Sequence, residues 1–238
     1  LVGPLLKNRS GALSLQFTVD DKQFHNETFA GIHSKYSAKV YGMNLFGNQW
    51  NSLGGSGLST YSFAWTSGNF DLSGSPNQLE DASGAQTAGS FNKYKFMFKR
   101  EQKLWKAETL SVSYQSQWTS KNLDASEKMF LGGAQGVRAY GANEAGGSIG
   151  QILNLELQQQ TQIGESVFTH AAFYDVGHIT VNKFNDYASA LPLNSYTLKG
   201  YGLWAGWNQR NSLGITSARL TWARRIGVNP SANLLGLD

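Results

Sequence analysis

No cysteine occurs in the 238 residues, which excludes a disulfide framework and any thiolate metal site. Charge is sparse too, at 15%, where about a quarter is typical of a soluble domain. No run approaches the ~18 apolar residues of a spanning helix, and mean hydropathy is −0.35, so a helical membrane protein is not expected. The four histidines (His25, His33, His170, His178) stand at no metal-binding spacing, and no serine sits in a nucleophile elbow. Gly-Gly-Ala-Gln-Gly-Val-Arg lacks the Gly-Lys-Ser/Thr ending of a phosphate loop. The chain is therefore read as no enzyme, with no catalytic residue, metal or cofactor. A leader is also missing: Leu1-Val2-Gly3-Pro4 has no charged segment followed by an apolar core, so an internal fragment is expected.

What the sequence does contain is glycine (27) and aromatic residues (13%) arranged with a two-residue period. Leu13, Leu15, Phe17 and Val19 alternate with Ala12, Ser14, Gln16 and Thr18, which describes a strand with one apolar face. The same period recurs at 57–66, 93–99 and 109–117, more loosely at 35–43 and 150–158, with further candidates at 1–6, 165–177, 198–208 and 214–225. The count is about ten strands in one domain, with no helix. Connections alternate between short (7–11, 100–103, 161–165, 209–212) and long (20–31, 67–90, 119–148, 178–196), although 44–56 is too long for the short series. Short turns at one end, long loops at the other and an aromatic phase on the strands describe a transmembrane β-barrel. A soluble sandwich also alternates. It would place branched aliphatics inside and charges outside, whereas here one phase is aromatic and the other is Ser, Thr, Gln, Gly and Lys. The net charge of +4 admits a nucleic-acid partner, and Lys93-Tyr94-Lys95-Phe96-Met97-Phe98-Lys99-Arg100 interleaves bases and rings as a single-strand-binding sheet does. The string reads more simply as a barrel strand, with Lys93, Lys95 and Lys99 in the lumen, joined there by Arg219, and rings in lipid.

The most specific run is Phe130-Leu-Gly-Gly-Ala-Gln-Gly-Val-Arg-Ala-Tyr140, midway along the thirty-residue loop at about 119–148. A loop of that length is functional or disordered. About fifteen residues per arm at ~3.3 Å each reach ~50 Å, so Arg138 can lie deep inside a barrel. In Phe173-Tyr-Asp-Val-Gly177, alternation puts Phe173, Asp175 and Gly177 on one face, and an inward Asp175 permits a bidentate pair with Arg138. Gly177, Gly200, Gly202 and Gly206 would clear the wall for a folded-in loop. From these residues alone a solvated arginine and a turn-forming aspartate remain open.

Both runs resemble motifs of the outer-membrane barrel superfamily that holds BamA-type insertases and TpsB transporters. The loop-tip motif falls on Gly132, Gly133, Val137, Arg138, Ala139 and Tyr140, and the wall motif on Phe173, Asp175 and Gly177. Trp222-Ala-Arg-Arg-Ile-Gly227 resembles the penultimate strand of TpsB proteins, and Ala139, where the superfamily usually has glycine, favours that branch. The resemblance implies an all-β, antiparallel, sixteen-stranded barrel, of which residues 1–238 would supply about ten strands. POTRA domains, early strands and the final strand would be absent. It implies two-partner secretion of an unfolded haemolysin- or adhesin-type exoprotein across the outer membrane of a Gram-negative bacterium. Arg138 would latch the loop to Asp175 inside a monomeric, lipid-surrounded barrel, with no nucleic-acid partner. The alternatives are a BamA-type insertase and a diffusion porin.

Overall fold

The computed structural model of the chain describes residues 1–29, 31–51, 56–212 and 214–230. One antiparallel sheet dominates. Its strands are β1 (Val2–Lys7), β2 (Gly11–Thr28), β3 (Gly31–Asn51), β4 (Gly57–Asp71), β5 (Gly89–Lys103), β6 (Glu108–Thr119), β9 (Ile149–Ile163), β10 (Ser166–Thr180), β11 (Ser195–Asn211) and β12 (Gly214–Arg225). Each pairs with its neighbour in that order, from β1 at one edge to β12 at the other, without closure among the described residues. Two short strands, β7 (Met129–Phe130) and β8 (Gly146–Gly147), form a separate ribbon inside the long loop between β6 and β9. The ten expected strands are all present.

The short connections fold for local reasons. Between β1 and β2 the Asn8 carboxamide oxygen accepts from the amides of Ser10 and Gly11, each at 2.9 Å, an Asx turn that reverses the chain in three residues. Between β9 and β10, Gly164 takes φ +60°, a left-handed conformation that glycine adopts without Cβ strain. At the opposite end lie the connections 72–88, 120–148 and 181–194.

Three expectations are corrected. Residues 20–28 are not loop but the continuation of β2, laddered to β3. β3 runs on to Asn51, so the connection expected at 44–56 shrinks to 52–56, which lies mostly outside the described residues. A short helix, α1 (Gln78–Ser83), and a 3₁₀ turn at Ala125–Glu127 occur where no helix was expected. Asp81 fixes the chain after α1 by accepting from the Thr87 and Ala88 amides at 2.8 and 3.0 Å.

Strand alternation sorts the side chains into two faces. Phe17, Tyr41, Phe63, Tyr94, Tyr174, Tyr201 and Trp222 are exposed on one. The other carries Ser, Thr, Gln, Lys and Gly and is the face onto which the long loop folds. Two buried apolar clusters form there. One joins the loop residues Leu131, Val137 and Tyr140 to Ile152, Ile179 and Leu198 of the wall. The other seats Leu123 among Ala38, Val40, Phe70, Leu72 and Phe91. Among the described residues, burial is thus between loop and sheet rather than between two sheets, unlike a sandwich core.

Candidate functional site: a loop seated on the sheet

The register assembles the wall in two adjacent rows. Asn154, Asp175, Gly200 and Arg225 lie side by side across β9, β10, β11 and β12, and Glu156, Phe173, Gly202 and Ala223 form the next row. Because side chains alternate, all eight positions face the loop. Each row offers carboxylate, amide or ring on the β9–β10 side and glycine on β11.

The loop tip that meets this wall is wound tightly by its own backbone. Val137 donates to the Leu131 carbonyl at 2.7 Å, Gly133 to Tyr140 at 3.1 Å, and Tyr140 to Val137 at 3.1 Å. Gly133 takes φ +106°, while a Cβ on Gly132 or Gly136 would collide with the carbonyls of Gly141 and Leu131 respectively. The glycines of the motif therefore close the turn and leave Val137, Arg138 and Tyr140 projecting from it.

Arg138 meets Asp175 at three points. Its backbone amide and Nε donate to Asp175 Oδ2 at 3.0 and 2.9 Å, and Nη2 donates to Oδ1 at 2.8 Å. Nη1 bonds Glu156. Asn154 Nδ2 donates both to Asp175 Oδ1 and to the Gly136 carbonyl, each at 2.8 Å, so one amide binds the wall carboxylate and the loop backbone together. The guanidinium carbon sits 3.5 Å from the centroid of the Phe173 ring, a cation–π contact of roughly 0.5–2 kcal/mol depending on desolvation. Asp175 is fully buried and the Arg138 side chain is 11% exposed, which makes this a buried, fully hydrogen-bonded pair. Burial works to lower the Arg138 pKa, but the two carboxylates outweigh it and raise it above the ordinary guanidinium value, so the charge is permanent.

Other residues of the loop close on β10, β11 and β12. A Cβ on Gly200 would lie 2.7 Å from Ala139 Cβ, and one on Gly177 would lie 2.9 Å from Leu131 Cδ2, so at both positions the loop lies against bare backbone. Gly202 gives its space to the Phe173 ring and Gly206 to Trp204. These two glycines therefore clear room for wall side chains rather than for the loop. Arg225 caps the contact, its Nε donating to the Ala139 carbonyl at 3.2 Å and its guanidinium carbon lying 4.7 Å from the Tyr140 centroid.

The four cationic positions expected to line a lumen lie on the loop-bearing face. Lys93 bonds the carboxylate of Glu127 in the loop, Lys99 Nζ donates to Glu101 Oε1 at 2.6 Å, and Arg219 stacks 4.0 Å over Trp204. Lys95 stands in register with Ala64 and Gln117. Beneath the tip a cavity of about 330 Å³ is lined by Lys99, Gln135, Arg138, Asn154, Glu156 and Arg219, among others. His170 instead points to the aromatic face, bonded to Gln159 at 2.8 Å. Among the described residues no group of His, Asp and Glu has metal-site geometry. Sequence reasoning missed Glu156, Asn154 and Arg225. The available signal was the string Leu153-Asn-Leu-Glu-Leu157, which sets an amide and a carboxylate on the inward phase directly opposite the loop motif's strand partners.

Comparison with known proteins gives a consistent picture. Residues 4–203 match the family described as haemolysin secretion/activation protein ShlB/FhaC/HecB. The chain is 24% identical over 204 residues to the heme/hemopexin transporter protein HuxB of Haemophilus influenzae, covering 85% of this chain and 36% of that protein. With HuxB of strain 86-028NP it is 23% identical over 217 residues, covering 90% and 38%. The chain thus spans little more than a third of the length of these relatives. Among solved structures, CdiB from Escherichia coli superimposes with a TM-score of 0.67 at 19% identity, over 94% of this chain and 44% of that one, a likeness of fold.

Proposed function

The chain belongs to the haemolysin secretion/activation protein family ShlB/FhaC/HecB, and from that premise we propose that it is the wall-and-loop part of an outer-membrane barrel that exports a large unfolded exoprotein by two-partner secretion. In this reading the aromatic face meets lipid and the Ser-, Gln- and Lys-rich face lines the route. The loop 120–148 blocks that route at rest, and Arg138 is its latch on Asp175. The further strands needed for closure and the periplasmic POTRA domains belong to the whole protein.

The observation that carries this reading is the bidentate Arg138–Asp175 pair, buried where a thirty-residue loop crosses the polar face of the sheet. A passive pore has no need to fasten a loop so firmly across its own path. A loop held by a reversible ionic contact gives a pore two states, closed without cargo and open with it. Cargo chemistry is compatible with the lining: neutral hydroxyls and amides hydrogen-bond any extended backbone, and scattered cations add no sequence preference.

The test is genetic. Deleting the gene for the full-length transporter should remove the exoprotein encoded beside it from the culture medium, while other outer-membrane barrels keep their folded, heat-modifiable form. Loss of those barrels with export intact would assign an assembly factor of the BamA type and overturn the proposal.

A further inference from the structure

The loop is fastened twice, and the second fastening lies away from the arginine motif. Where the chain leaves β6, Leu123 is buried among Phe70, Phe91 and Val40, and Tyr36 donates its hydroxyl to Asp124 Oδ2 at 3.0 Å. Asn122 ties the neighbouring connections together, donating to the carbonyls of Ala85 and Phe184 at 2.8 and 2.9 Å. Five residues further on, Glu127 is 4% exposed and its carboxylate lies between two ammonium groups, Lys22 Nζ of β2 at 2.7 Å and Lys93 Nζ of β5. Gln117 of β6 then clips both arms of the loop, its Nε2 lying 3.2 Å from the Glu127 carbonyl and 3.1 Å from the Ser148 carbonyl. These contacts reach β2, β3, β4, β5 and β6, whereas the ionic contacts of the Arg138 tip are to β9, β10 and β12, and a hydrogen bond, from Gln115 Nε2 to the Gln135 carbonyl at 3.1 Å, joins the tip to β6. Between root and tip stands only the β7–β8 ribbon, two residues per strand.

We propose that Glu127 is the positioning residue of a separate root clamp, which holds residues 122–127 on β2 and β5 while the tip leaves the wall, with the β7–β8 ribbon as the hinge. The proposal rests on the reading that the tip is released at all, and the experiment below separates the two. A clamp of this kind keeps the freed tip tethered at the mouth of the route, so that it returns to Asp175 after each passage instead of being swept out with the cargo.

The clamp has a pH signature. Burial works to raise the Glu127 pKa, but the ammonium groups of Lys22 and Lys93 outweigh it and hold the carboxyl below the ordinary carboxylate range. Lys95 faces it from β5 as a further cation, and Asp124 and Lys128 flank it on its own segment. For a carboxyl lowered on folding, the stabilisation is complete above the ordinary carboxylate value and is lost as pH falls through the lowered one. Root protection should therefore fail on acidification.

The test uses the full-length transporter in outer membranes, with single cysteine reporters at two buried positions, Val137→Cys in the tip and Leu123→Cys in the root, each read by its rate of reaction with N-ethylmaleimide. Arg138→Ala should raise labelling at 137 at least tenfold and leave 123 at its parental rate. Glu127→Gln should do the reverse and should also abolish the acid-induced rise in labelling at 123. If Glu127→Gln does not fold, Lys22→Gln, which removes one of the two cations at a half-exposed site, should give the same pattern more weakly. Parallel labelling of both sites in Arg138→Ala would mean that the loop moves as one body and would overturn the clamp. An unchanged root in Glu127→Gln would do the same. Failure of Arg138→Ala to expose 137 would count against the tip latch alone, since the Glu127 arm is read at a different site.

Discussion

Arg138→Ala is expected to abolish export while the barrel stays folded in the membrane. The truncation leaves Asp175 and Glu156 facing the same vacated space without their shared cation, with Asp175 fully buried. Breaking a buried, hydrogen-bonded pair from one side costs about 3–5 kcal/mol, which shifts the ratio of seated to free tip by roughly a hundredfold to several thousandfold. Loss of the seat should appear as raised single-channel conductance in planar bilayers and as protease cleavage within 128–147. Asp175→Ala should be milder, since Arg138 keeps Glu156. Exchanging the two residues should recover little. Asp175 also accepts from the Arg138 backbone amide and from Asn154, and a guanidinium placed at 175 would turn two donors against a cation. Wild-type export and conductance in Arg138→Ala would remove the latch.

The second large effect is steric. Gly200→Val should unseat the loop tip without weakening the sheet, because valine favours a strand while its Cβ would lie only 2.7 Å from that of Ala139. Overpacking of this kind costs about 1–3 kcal/mol, enough to leave the tip partly free. The companion change Ala139→Gly removes the atom that is struck, so the double variant should recover protease protection that neither Arg138→Ala nor Gly200→Val retains. A Gly200→Val loop as protected as the wild type would show that the tip does not press on β11.

The strands were legible because an aromatic face on one side and a polar face on the other impose a two-residue period, and that period ends where the aromatic face ends. Asp20-Asp21-Lys22-Gln23 has no apolar phase, yet its ladder with β3 continues unbroken, since backbone pairing needs no greasy face once both faces are polar. α1 escaped notice at six residues, too short to show a helical period. In the site, Arg138 and Asp175 stood out through their motifs. Glu127 did not, because it sits in the loop outside any strand period; Glu156 and Arg225 did not, because a polar residue on the inward phase has the same pattern whether it faces water or a folded loop. Only the register, which sets Arg225 in one row with Asn154, Asp175 and Gly200, and Glu156 in the next with Phe173 and Gly202, distinguishes those two.

The most direct test of a tip that must leave the wall is to prevent it from leaving. The described chain contributes no cysteine of its own, and Ala139 and Gly200 oppose each other closely enough that a small outward shift brings two introduced cysteines to the ~3.5–4.5 Å Cβ separation of a disulfide. In the full-length transporter, Ala139→Cys with Gly200→Cys should export less when oxidised than when reduced, whereas each single cysteine variant should export at a level that oxidation and reduction do not change. Undiminished export through a quantitatively cross-linked barrel would contradict the account.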